Sequence, residues 1–176
     1  MATYKTRAIS LKTSPFAEAD KLVTLFTRER GKVRALAKGA RRVPSRFGGR
    51  VETLTYSDLL IVSCRSIDII SQCQVLESFQ SVREDSQTLY PGLYMLKLVN
   101  SGTSDGQYYP ELFDLLLSYL LRLKDGKMEG WRDGGTGRKI VKEFVREFVK
   151  IEGIHQMGMD PLAVLGEHLE RDLSIW

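Results

Sequence analysis

Apolar and polar positions in the first eighty residues alternate with a period of two, in short runs rich in β-branched residues and separated by Gly, Ser and Asp. Five such runs predict strands, over residues 6–12, 21–27, 32–38, 54–62 and 67–76. The second and third are joined by Arg28-Glu29-Arg30-Gly31, whose glycine can take positive φ, so they are expected to form a hairpin. Five strands this short and this close together suit a small closed barrel.

Beyond Phe79 the period lengthens to about 3.6 and Leu replaces the β-branched residues, which predicts helices. The run 93–99 follows Pro91 and precedes Asn100-Ser101-Gly102, so it reads as the end of one helix. A second starts at Pro110 and continues through residues 112–123, apolar nearly all round, and is expected at the centre of a bundle. Residues 124–137, KDGKMEGWRDGGTG, hold five glycines and no periodicity and predict a surface loop. From Arg138 a third helix presents Ile140, Val141, Phe144, Val145, Phe148 and Val149 on one face. Residues 161–176 suit one more short helix. The pattern is that of an α+β chain, a five-stranded barrel over residues 1–79 and an all-helical domain over 80–176.

Charge sharpens this division. Residues 1–50 hold thirteen Lys or Arg against three acids, and the remaining residues thirteen against nineteen. A basic barrel on an acidic remainder suggests a polyanion-binding module attached to something else. The densest stretch, residues 28–50, carries nine cations, one acid, four glycines and Phe47. Alternation along 32–38 puts Lys32, Arg34 and Lys38 on one face and Val33, Ala35 and Ala37 on the other. Arg41, Arg42, Arg46 and Arg50 fall on the following segment, read as a mobile loop in which Gly48 and Gly49 permit close approach to a ligand. Cations that track a phosphate backbone, with Phe47, Tyr4 or Tyr56 as a stacking platform, describe a single-strand nucleic-acid site. The plainer account is a solvated strand edge, since edge lysines also discourage aggregation; nine cations against one acid favour the site.

Other chemistry finds little support. Cys64 and Cys73 form no CxxC pair, so neither a zinc ribbon nor a disulfide framework is expected, and no metal or cofactor. His155 and His168 lie near no partner that would suggest catalysis. Asp133-Gly134-Gly135-Thr136-Gly137-Arg138-Lys139-Ile140 lacks the Gly-Lys-Ser/Thr order of a phosphate loop and follows no strand. The expectation is a protein that is not an enzyme. No leader-like or membrane-spanning run is apparent, which places the chain in the cytoplasm, away from membranes.

The stretch from Tyr4 to Leu60, with its EADKLVTLFT and GKVRALAKGARR strands and SRFGGR loop, resembles the start of the bacterial RecO family, and a looser likeness continues to about Asp160. The resemblance implies an OB-type barrel followed by helices, which anneals complementary strands and helps load recombinase onto coated single-stranded DNA without catalysis. It implies DNA contacts on Arg28, Lys32, Arg34, Lys38, Arg41, Arg42 and Arg46. It also implies two protein partners, the ring-forming RecR and the single-stranded-DNA-binding protein. The acidic, apolar-ended tail of the latter would dock on the helical domain, near Arg122, Lys139 or Arg146. Family members often carry a four-cysteine zinc module after the segment corresponding to REFVKIEGIHQMGMD, and residues 161–176 contain no cysteine. A truncated or rearranged chain, or a metal-free variant, both fit. A different reading is an adaptor whose barrel chiefly docks the RecR ring.

Overall fold

A computed structural model describes residues 2–126, 136–154 and 156–169. The described residues fall into two compact units, one comprising Met1–Phe79 with Thr103–Pro110, the other Gln80–Gly102 with Glu111–Trp176. Thr103–Pro110 thus joins the strands, although a division at residue 79 assigns it to the helices.

The first unit is a closed barrel of five strands, β1 (Thr3–Phe16), β2 (Asp20–Thr27), β3 (Gly31–Ala37), β4 (Tyr56–Val62) and β5 (Asp68–Glu77), in the order β1-β2-β3-β5-β4. This is the five-stranded OB-type barrel. All five expected strands are present, and β1 is longer at both ends because it serves two neighbours. Its first half pairs with β4 and its second with β2, with an irregularity between Ser10 and Lys12 where the strand turns from one to the other. The β2–β3 hairpin closes at Thr27↔Gly31, and the Thr27 hydroxyl accepts from the Arg30 N–H at 3.0 Å and donates to the Gly31 carbonyl at 2.9 Å. Gly31 has φ +65°, as the turn requires.

The barrel core is built from inward positions, Ala8, Val23, Leu25, Ala35, Ala37, Leu59, Ile61 and Ile70, together with Ala40, Phe47 and Val51 from the β3–β4 connection. Rather than standing free as a loop, that connection folds back and contributes three apolar side chains to the core, which anchors the backbone between them. Phe47 is 2% exposed, and Arg46 lies 4.7 Å above its ring. The expectation that Phe47 stacks on bases is corrected: a ring that completes the core cannot also present its face to a ligand.

β3 meets β5 only at Ala35↔Asp68 and Leu36↔Ile69, in parallel, so β5 does not cover Gly31–Arg34. Thr103–Pro110 fills that place. Asp105 forms a parallel bridge with Lys32, and the Gly106 N–H donates to the Lys32 carbonyl at 2.8 Å. The fit is close enough that a Cβ on Gly31 would stand 1.6 Å from the Gln107 carbonyl oxygen.

The second unit contains α1 (Gln80–Glu84), α2 (Ser86–Gly102), α3 (Pro110–Asp125), α4 (Thr136–Ile151) and α5 (Pro161–His168). The helix expected to end with residues 93–99 runs three residues further, through Asn100, Ser101 and Gly102, and Pro91 lies inside it. α3 is less buried than expected. Leu112, Phe113, Leu116, Tyr119, Leu120 and Leu123 form one buried face, while Leu121 is exposed. On α4 all six expected apolar residues are buried, and Phe144 meets Tyr119 edge-on at 5.5 Å. Most of the glycine-rich loop, His155 and residues 170–176 of the final expected helix lie outside the described residues.

Candidate nucleic-acid interface

Strand register assembles the site. Lys12, Thr24 and Arg34 stand side by side across β1, β2 and β3, and Ser14, Leu22 and Leu36 form the next row. These are outward positions, opposite in sense to the core residues Val23 and Ala35. Lys12 and Arg34 are exposed, and Leu22 and Leu36 partly so. At the end of the same face β1 finishes in Phe16, 39% exposed, followed by a tight turn in which Ala17 takes φ +49°.

The chain leaving β3 is tied to this turn. The Arg41 N–H donates to the Ala19 carbonyl at 2.9 Å, its guanidinium to the Ala17 carbonyl at 3.3 Å, and the Gly39 N–H to an Asp20 carboxylate oxygen at 2.8 Å. Lys38, Arg41 and Arg42, all exposed, are consequently held at the Phe16 end of the barrel face. An exposed ring at the same end of the face as three cations, continuing into the Lys12–Thr24–Arg34 row, offers an aromatic surface and a positive track together.

The structure separates the other expected contacts from this group. Arg28 is exposed at the far end of β3, about 20 Å away by strand rise. Its neighbour Arg30 lies 3.9 Å above the ring of Tyr4, whose hydroxyl donates to Asp68 at 2.7 Å. Burial, reinforced by that bond, pushes the Tyr4 phenol well above its ordinary range. One face of Tyr4 is thereby occupied. Arg46 covers Phe47. Lys32 points outward as expected, but its ammonium donates to the Thr103 carbonyl at 2.6 Å and lies 3.7 Å from Asp105, with only 12% of the side chain exposed. As a direct phosphate contact Lys32 is corrected, because its charge is spent within the protein. Arg34 also meets Asp105, at 2.7 Å, yet keeps 60% of its side chain in solvent. The hydrogen bond from Arg34, aided by both cations, holds the Asp105 carboxyl below its ordinary range.

Sequence reasoning missed Lys12, Phe16 and Asp105. Alternation along β1 was signal enough for Lys12, and a ring just before a turn was a weaker one for Phe16. Nothing local marks Asp105, which is 71 positions from Arg34.

On the helices, Arg122 is held by Glu143 at 3.1 Å and lies over the Tyr119 ring at 4.6 Å. Lys139 and Arg146 line the exposed face of α4 with Arg138, Lys142 and Glu143. A separate groove of about 180 Å³ runs between α4 and the start of α5, floored by Val141, Val145, Pro161 and Leu162 and flanked by Lys142, Arg146 and Asp160. Among the described residues no group of three or more His, Cys, Asp or Glu is placed to hold a metal ion, and no helix is long and apolar enough to cross a membrane.

Residues 1–79 match the family described as Recombination protein O N terminal, and residues 83–133 match Recombination protein O C terminal. The DNA repair protein RecO of Acaryochloris marina is 39% identical over 126 residues, which span 72% of this chain and 43% of that protein. RecO of Gloeobacter violaceus is 39% identical over 121 residues, 69% of this chain and 46% of that protein, and RecO of Desulforudis audaxviator 38% over 127 residues, 72% and 51%. The chain spans about half the length of these relatives. With the barrel order and both family matches agreeing, the chain belongs to the RecO family.

Proposed function

We propose that the barrel binds single-stranded DNA on its β1–β2–β3 face and that the chain serves, without catalysis, as a mediator in DNA repair and recombination, annealing complementary strands and assisting recombinase loading. The observation that carries this reading is that Arg41 is bonded to Ala17 and Ala19, in the turn that follows the exposed Phe16, which brings the segment carrying Lys38, Arg41 and Arg42 to that end of the barrel face. Phosphates are drawn by the cations and a base stacks on the ring; neither contact reads sequence, which suits a protein that acts on any strand. The relatives are called DNA repair proteins, in keeping with this role.

The test is fluorescence anisotropy of labelled oligo-dT across a salt series, beside a duplex control. The expected result is preference for the single strand, with log affinity falling against log salt by about 0.7 for each phosphate neutralised. The double substitution Arg41→Glu and Arg42→Glu is expected to lower both affinity and slope. Unchanged binding would remove this face from the account.

For the helical unit the proposed partner is the acidic, apolar-ended tail of the single-stranded-DNA-binding protein, seated in the α4–α5 groove with Lys142 and Arg146 beside its carboxylates. A second reading, an adaptor that mainly docks the RecR ring, draws support from Arg34, which already grips a protein carboxylate while keeping most of its side chain in solvent. Tight association with RecR, alongside negligible DNA binding by the protein alone, would favour the adaptor.

A further inference from the structure

We infer that Asp105 is a built-in competitor for DNA phosphate, occupying Arg34 when the face is empty and yielding it when a strand binds. The inference rests on the DNA-binding reading above. Its physical basis is the contrast between how the carboxylate is paired and how its backbone is held. The Arg34–Asp105 pair is open to water on both sides, with 60% and 51% of the two side chains exposed, so it is weak and exchangeable. A phosphodiester offers the same guanidinium an anion of comparable geometry, with neighbouring phosphates for Lys12 and Lys38.

The segment carrying Asp105 is far more firmly placed than its carboxylate. The Gly106 N–H donates to the Lys32 carbonyl, the Lys32 ammonium donates to the Thr103 carbonyl, and Gly31 packs against Gln107 without room for a Cβ. Displacing the carboxylate from Arg34 therefore requires a side-chain rotation only, and the Lys32 ammonium, 3.7 Å from its other oxygen, keeps the acid close by. The backbone stays, and the acid returns to Arg34 when the strand leaves. Asp105 is a positioning residue that acts through Arg34, and its effect is to lower affinity and shorten the residence of any one strand on the face.

Salt supplies a readout that a purely structural role would not move. When a phosphate displaces Asp105 from Arg34, the carboxylate stays beside the Lys32 ammonium and repels the strand most strongly at low salt, which offsets part of the gain from counterions that the DNA releases. Asp105→Asn removes that offset. Oligo-dT anisotropy should show about two- to fivefold tighter binding at low salt, the size of one exposed ion pair, and a steeper slope. In an Arg34→Ala background the same substitution should change neither. Amide exchange at Gly106 reports whether the segment is still seated in each variant. If the parent protein binds and Asp105→Asn binds no better, or if the gain persists without Arg34, this inference is overturned and the DNA-binding reading stands. If neither protein binds at low salt, the DNA-binding reading fails and this inference with it; binding that appears only in Asp105→Asn would support both.

Discussion

Replacing Phe47 by Ala removes a ring that completes the barrel core, and the expected cost is about 3–5 kcal/mol, measured as a lower urea midpoint. Replacing Phe16 by Ala should act mainly on binding, with a loss of roughly 1–3 kcal/mol for oligo-dT if the ring stacks on a base. Should Phe16→Ala bind normally while Phe47→Ala binds poorly at full stability, the assignment of the two rings would have to be exchanged. At Asp105, the hydrogen bond from Arg34 lowers the folded pKa beneath that of the unfolded chain. The pair's contribution to stability is therefore present above the ordinary carboxylate range and disappears only as pH falls through a lower value. Carbon-detected titration should place the Asp105 midpoint below the ordinary aspartate range. A midpoint within or above that range would contradict the pairing.

At the scale of elements, α2 and α4 approach closely because Gly137 has no side chain. A Cβ there would stand 2.7 Å from the Pro91 ring and 3.2 Å from the Gln87 carbonyl oxygen. Gly137→Ala should lower the thermal midpoint measurably although alanine is the better helix former; a raised midpoint would show that the two helices can separate without cost. The same contact explains what the sequence could not reveal. Gly137 sat in a stretch that superficially resembled a phosphate loop, and its real requirement comes from a residue nearly fifty positions earlier. Strands and the α4 stripe were legible because period-two and period-3.6 patterns are local. Pro91 inside α2 was not, since a proline near a helix start and one that terminates a helix look alike until the partner helix is known. Phe47 was misjudged for a related reason: a hydrophobic residue among arginines carries no mark of which way it faces.

For the molecule as a whole, the cations gathered in residues 1–50 belong to a barrel whose five strands close within the first 79 residues but whose β3 edge is covered by a segment from beyond them. A fragment ending at Phe79 would lack Thr103–Pro110 and present the Gly31–Arg34 edge of β3 unpaired, a template for joining another chain. Such a fragment should self-associate, seen by sedimentation, and show faster amide exchange near this edge than the full chain. A monomeric fragment with full protection there would mean the barrel does not need its late segment. The separation of 71 positions between Arg34 and Asp105 also has a temporal side. At translation rates of about 5–20 residues per second, the β3 edge and its uncovered cations exist for roughly 4–14 seconds before the covering segment has been synthesised. During that interval the cations of β3 meet any polyanion without the acid that pairs with Arg34 in the folded chain.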